Sequence, residues 1–388
     1  MTSADGDFRP DFENLRRALL REGPPGPIPF FEVGVDPPVI GAVLGERFPL
    51  DIHVFGPQGI PVPTDEEGVI KGVRALEMFV RFSQTVGYDF VFMYTLFNFP
   101  RSFREATDTA GVGEWSDGRR YWQDETTGPI QSWADFEKYP WPKPEDISYA
   151  GLEYLNAIVP EGMKISSDLL GIFDVSTWLM GFEQYALAIY DQPELVEAII
   201  GRIADLSAAA VRHAVTLDNV EVIVLCDDMG HNKGTLVRPE FLRKYIFPQH
   251  RRLAEIAHGA DKIFILHSCG NLLSVMDEII EAVGIDGKHS FQDVIMPVED
   301  AYRRWGDRTS ILGGLDMDLL GRGTEEQVRA RTRAILDACS SQGTGYCLGS
   351  GNTIATYVPI GNYLAMLDEG RRWNQEHFGV PRRRSSRT

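Results

Sequence analysis

Val220-Glu221-Val222-Ile223-Val224-Leu225-Cys226-Asp227 and Lys262-Ile263-Phe264-Ile265-Leu266-His267 are two short apolar runs, with Pro239 to Ala257 between them. Each run is dense in Ile, Val, Leu and Phe, as a strand buried on both faces must be. The stretch between opens on Pro-Glu, a helix N-terminus signal. Strand, helix and strand in that order make a crossover unit with parallel strands. Ile28 to Val33, Tyr88 to Thr95, Met163 to Leu169, Gly284 to Ser290, Thr309 to Gly313 and Gly345 to Leu348 read as six more strands. Helical patterns alternate with them. Pro193 to Leu217 places Leu195, Ile199, Ile200, Ile203 and Leu206 at helical spacing, and Leu272 to Val283 and Thr324 to Ser340 are similar. The fold class is therefore α/β, and eight such units predict a single (β/α)8 TIM-type barrel. The other arrangement is an open doubly wound sheet, but no Gly-rich dinucleotide turn follows the first strand.

Residues 97–147 break the alternation. They are rich in Gly, Pro and Trp, including Trp115, Trp122, Trp133 and Trp141. They are expected to form an irregular insertion after the second strand, a lid over the catalytic rim with aromatic walls. The basic run at 381–388 is expected to be a frayed tail. The 388 residues are otherwise expected to form one barrel domain.

Lys and Arg total 38 against 56 Asp and Glu, a net charge of −18. A surface this acidic argues against nucleic acid and anionic membrane as partners. No apolar run reaches the roughly 20 residues needed to span a bilayer. Met1 to Arg9 lacks a signal-peptide pattern, and four cysteines are too few for a disulfide framework. A cytoplasmic setting with reduced thiols is the expectation.

Chemistry in a barrel gathers where the strands end. The fourth strand ends in Cys226-Asp227-Asp228 and the fifth in His267-Ser268-Cys269-Gly270-Asn271. Residues i and i+2 of an extended strand face the same side, so His267 and Cys269 can reach one ion. Cys347, on the eighth strand, is the candidate third metal ligand from across the rim. Three N/S ligands with an open position suit a catalytic zinc. Asp228 is the candidate base or substrate anchor, because it lies nearer the loop than Asp227.

These segments resemble the uroporphyrinogen decarboxylase superfamily. The resemblance rests on Ile265-Leu266-His267-Ser268-Cys269-Gly270-Asn271, on Ile311-Leu312-Gly313-Gly314-Leu315-Asp316 and on Cys347-Leu348-Gly349-Ser350-Gly351-Asn352. It also includes Asp227-Asp228-Met229-Gly230, and it spans about Phe30 to Trp373. True decarboxylases carry an Arg-rich N-terminal motif and an aspartate after the second strand. Here those regions read Pro29-Phe30-Phe31-Glu32-Val33-Gly34 and Phe92-Met93-Tyr94-Thr95. The resemblance is nearer to the cobamide-dependent methyltransferase branch, the coenzyme M type, whose zinc ligands follow His-x-Cys and a distant Cys. It implies zinc on His267, Cys269 and Cys347, with Ser350 at the branch's usual third-ligand position. It implies a methyl transfer between a small methylated substrate or thiol and a cobamide carried by a partner protein. Asp228 and His231 are then the catalytic candidates, and Glu32, Asn271, Trp115 and Ser350 the substrate-binding ones. Two alternatives stay open: a metal-free decarboxylase or lyase using Asp228 and His231, and a non-catalytic small-molecule-binding barrel.

Overall fold

The structure, a computed structural model, describes residues 9–50, 65–95, 99–107, 118–124, 126–340 and 344–379. Its strands are β1 (Phe90–Thr95), β2 (Phe103–Thr107), β3 (Arg119–Gln123), β4 (Lys164–Leu170), β5 (Val220–Cys226), β6 (Gly230–His231), β7 (Gly234–Thr235), β8 (Ile263–His267), β9 (Gly287–His289), β10 (Ser310–Leu312) and β11 (Tyr346–Cys347). Seven of them form one parallel sheet in the order β1-β4-β5-β8-β9-β10-β11. Helices such as Pro193–Ala214 and Phe247–His258 alternate with these strands and bury Ile199, Ile203, Leu253 and Ala257 against them. The sheet curls as the parallel β/α pattern requires.

The Phe30 segment fills the eighth position. Phe30 bridges Leu348 in parallel, and the amide of Phe31 donates to the Leu348 carbonyl at 2.8 Å. Toward β1 the segment is held by side chains. Phe31 stacks on Phe90 at 5.0 Å between ring centroids, and the Tyr94 hydroxyl donates to the Val33 carbonyl at 2.9 Å. The strand expected over Ile28 to Val33 is thus reduced to a single bridge at Phe30. Pro27 and Pro29 explain this, because neither has an N–H to give a ladder. Close approach here also needs a glycine: a Cβ on Gly349 would lie 1.9 Å from the Phe31 carbonyl oxygen.

The segment expected to be irregular is partly regular. Strands β2 and β3 pair antiparallel, and Trp133–Lys138 is a short helix capped by Ser132. Its described part packs on the helix Ile172–Met180. The amide of Ile130 donates to the Leu179 carbonyl at 2.9 Å, and the Arg101 guanidinium lies over the Trp178 ring at 4.7 Å. Trp115 and residues 381–388 fall outside the described residues. Among the described residues no helix is long and apolar enough to cross a membrane.

The end of β5 is anchored to the helix layer by Asp227. Its carboxylate accepts from the amides of Phe173 and Asp174 at 3.0 and 2.9 Å, at the N-terminus of the helix Ile172–Met180. It also meets His250 Nε2 at 2.7 Å, and both side chains are fully buried. Asp227→Ala would strand the imidazole and two helix-start amides without an acceptor. A loss of about 3–5 kcal/mol in unfolding free energy is expected, read by denaturant titration. A loss under about 1 kcal/mol would show that the anchor is dispensable.

Candidate functional site

Parallel pairing sets one level of the sheet. Cys226 pairs with His267, His267 with His289, His289 with Leu312 and Leu312 with Cys347. Paired residues of parallel strands face the same way, so these five side chains share a face. Asp227 faces the helix layer, so the face shared with Cys226 is the opposite one, toward the barrel axis. Asp228 and Cys269 stand two residues beyond Cys226 and His267, over the same mouth.

The three groups converge there. The Cys269 amide donates to Asp228 Oδ1 at 2.7 Å. His267 Nε2 lies 3.6 Å from Asp228 Oδ1 and 3.6 Å from Cys269 Sγ. One donor atom from each of Asp228, His267 and Cys269 lies within 4.8 Å of the other two. The turn is held by the hairpin of β6 and β7. The Asn271 amide donates to the His231 carbonyl at 2.9 Å, and a Cβ on Gly270, whose φ is +80°, would lie 2.1 Å from the Gly230 carbonyl carbon.

His267 Nδ1 sits 2.7 Å from His289 Nδ1, with the rings stacked at 5.0 Å. One of the two nitrogens must carry the proton. With it on His267 Nδ1, the lone pair on Nε2 faces Asp228 and Cys269. The Cys269 sulfur also accepts from Asn352 Nδ2 at 3.2 Å and Ser290 Oγ at 3.4 Å.

Burial governs the charges. It lowers His267 to about 4, ahead of the opposing pull of Asp228. It raises the Cys269 thiol well above its usual range, with Asp228 adding to the rise. Asp168 and Asp174 are raised as well, both chiefly by burial. A neutral imidazole and a thiol therefore meet at neutral pH, and a cation binding there would release the thiol proton to solvent.

The structure separates the predicted residues. His267, Cys269 and Asp228 come together. Cys347 does not join them, although it was expected as the third ligand. It is fully buried on β11, three ladder steps from β8, with His289 and Leu312 standing between at the same level. His231 contributes its backbone. Its imidazole is exposed, accepts from the Lys233 amide at 3.3 Å and lines an outer groove with Tyr190 and Arg238. Asn271 turns its side-chain oxygen to the Leu273 amide at 3.1 Å, capping its own turn. Glu32 and Ser350 bond each other, and the Ser350 hydroxyl lies 3.0 Å from the Asn352 carbonyl. They stand behind the cluster, linked to it through Asn352 and through the Ser350 backbone bond to His289. His289, Ser290 and Asn352 were missed as site residues. Their signal was position alone, since each lies at or just past a predicted strand end.

The donor set fits zinc. With Zn–N of about 2.0–2.1 Å and Zn–S of about 2.3 Å, tetrahedral angles place nitrogen and sulfur about 3.6 Å apart. His267 Nε2 and Cys269 Sγ are separated by 3.6 Å. A carboxylate oxygen is an ordinary third donor for that ion.

The uroporphyrinogen decarboxylase (URO-D) family model matches residues 125–373. The chain belongs to the URO-D family. Within it, the chain is 30% identical over 196 residues to a methylated-thiol–coenzyme M methyltransferase of Methanosarcina mazei, covering 50% of this chain and 49% of that one. It is 25% identical over 211 residues to the methylcobamide:CoM methyltransferase MtbA of the same organism, covering 53% and 57%. A uroporphyrinogen decarboxylase of Streptomyces coelicolor is 25% identical over 237 residues, covering 58% and 62%. The chain thus matches about half the length of these methyltransferase relatives, and it stands closer to that branch of the URO-D family than to the true decarboxylases. A solved methyltransferase from Methanosarcina mazei shares the fold with a TM-score of 0.66 at 15% identity, covering 93% of this chain and 98% of that one.

Glu32 gives this URO-D site a pH signature. Burial raises its carboxyl to about 8, outweighing the bonds from Ser350. Protonated Glu32 donates to Ser350 Oγ, freeing the hydroxyl proton for the Asn352 carbonyl. An unfolded glutamate ionises near 4.5, so the folded chain holds the extra proton between about 4.5 and 8. Stability from this group is full below that window and declines through it, by about 5 kcal/mol at 1.36 kcal/mol per unit. Glu32→Gln should keep the bonds and flatten that decline, as measured by denaturant titration from pH 5 to 8. An unchanged slope would reject the assignment.

Proposed function

We propose that this chain is a zinc-dependent methyltransferase. It moves a methyl group between a small methylated substrate or thiol and a cobamide carried by a separate protein. The observation that carries the reading is the convergence of Asp228, His267 and Cys269 within 4.8 Å at the mouth of the sheet. The methyltransferase relatives support it at the level of reaction class.

Zinc would be held by His267, Cys269 and Asp228, with Asp228 in the place expected for Cys347. When bound, it supplies Lewis acidity that keeps a substrate sulfur ionised at neutral pH. The chain's own residues prepare that chemistry. With the shared proton on His267 Nδ1, His289 would hold the tautomer whose Nε2 lone pair points at the cluster. Cys269 and Asp228 offer two negative charges when deprotonated, matching the formal charge of the ion. The Cys269 amide keeps Asp228 beside the sulfur. Asp228 therefore acts as a ligand in this reading and not as a free base. His231, exposed on its hairpin, is left out of the reaction, which weakens the metal-free lyase alternative that relied on it.

Two measurements test the reading. Equilibrium dialysis against zinc should give about one ion per chain. Cys269→Ala and Asp228→Ala should each weaken binding at least tenfold, while Cys347→Ala should retain it. Loss of zinc on Cys347→Ala would restore the thiol as ligand. In the second assay, the protein is mixed with methylcobalamin and a small thiol, and demethylation is followed by the cobalamin absorption spectrum. A chelator should abolish turnover and added zinc should restore it. Turnover that survives full metal removal would overturn the zinc mechanism.

A further inference from the structure

Ser290 is the one non-glycine residue with left-handed backbone at the mouth, with φ of 81°. The other two such residues among those described sit in ordinary turns. Arg21 closes the helix Phe12–Leu20, and Asp261 lies in the turn after the helix Phe247–His258. Ser290 follows β9 directly and is buried. A side chain with a Cβ is disfavoured there, and glycine would adopt the conformation freely. Non-glycine residues persist in such conformations when their surroundings over-determine them, and these cluster at functional sites.

The surroundings are visible. Lys288, itself buried, donates from Nζ to the carbonyls of Ser268 at 2.8 Å, His289 at 2.5 Å and Ser290 at 3.0 Å. One ammonium thereby ties the end of β8 to the end of β9. With the Ser290 carbonyl turned toward Lys288, its hydroxyl points to the Cys269 sulfur at 3.4 Å. Asn352 Nδ2 approaches the same sulfur at 3.2 Å. Two donors from different loops thus hold one sulfur, and His267 Nε2 lies at 3.6 Å from it.

We propose that Ser290 is a positioning residue: Lys288 locks its backbone so that its hydroxyl, together with Asn352, fixes the Cys269 sulfur in the rotamer that faces His267 and Asp228. The inference deepens the reading of Cys269 as the working sulfur, yet it concerns where the sulfur sits whether or not a metal is bound. Ser290→Gly is the informative variant, because it removes the hydroxyl while suiting the backbone. Ser290→Ala removes the hydroxyl and keeps the Cβ.

The test is crystallography of the metal-free wild-type and Ser290→Gly proteins, with cobalt(II) affinity measured by chelator competition. Thermal melting should show Ser290→Gly at least as stable as wild type. Its Cys269 sulfur should leave the single wild-type rotamer or split between two. Cobalt(II) affinity should fall about 10–100-fold, the usual effect of losing a group that orients a ligand. Ser290→Ala should show the same displacement. A Cys269 sulfur that stays in place in both variants overturns the proposal, whatever the metal affinity. A sulfur that moves in a protein whose wild-type form binds no cobalt(II) or zinc keeps the positioning role and removes the zinc mechanism instead.

Discussion

The parallel register of β5, β8 and β9 is the constraint on which the site depends. It sets Cys226, His267 and His289 side by side, and a slip of one residue would turn His267 and Cys269 out of the mouth. The apolar runs do not secure this register alone, since strands buried on both faces pack nearly as well when shifted. Polar bonds at the two ends of the strands do. At the lower end, Asp286 accepts from the Phe264 amide through its carboxylate at 2.8 Å. It donates to the Phe264 carbonyl at 2.9 Å and accepts from the Ser310 amide at 2.8 Å. At the upper end, Lys288 gathers the carbonyls of Ser268, His289 and Ser290. One strand, β9, is therefore pinned at its lower end by Asp286, the residue before it, and at its upper end by its own Lys288.

Much of this was legible in the sequence, because its physics is local. Strand pattern, helix starts and the i, i+2 spacing of His267 and Cys269 depend on residues close together in the chain. The parallel sheet followed from the alternation, and Asp228 was preferred to Asp227 because it lies nearer the loop. The reading overran at Ile28 to Val33, where Pro29, with Pro27 just before the segment, leaves too few amides to pair. It also understated the order in residues 97–147. Ser132 there offers an ordinary helix cap that composition alone hides.

The approach of Asp228 to His267 and Cys269 was not legible for a different reason. Sequence places Cys347 on the last strand of a closed barrel, and a closed barrel brings distant strands near. It does not give the path around the ring. Strand β11 stands three ladder steps from β8, at about 4.8 Å per step, so the arc is about 14 Å. His289 and Leu312 occupy the intervening positions at the same level. Asp228 needs only one step, from β5 to β8, plus two residues of climb on each strand. A short carboxylate on an adjacent strand therefore reaches His267 and Cys269 where a thiol on a remote strand does not. The same argument accounts for His289, which is a neighbour of His267 only through the ladder.

Charge balance adds the last constraint. A buried ammonium beside a thiol would ordinarily draw the thiolate into an ion pair, and the sulfur would lose its freedom to bind anything else. Lys288 avoids this because its three N–H donors already meet three carbonyl oxygens. Burial lowers it to about 8, so the carbonyl cradle and not a counter-ion accommodates what charge it keeps. The Cys269 sulfur is left with two modest donors, Ser290 and Asn352, and with a neutral imidazole opposite. A sulfur held in direction but not neutralised can still answer to an incoming cation, and burial makes that answer conditional on the cation arriving.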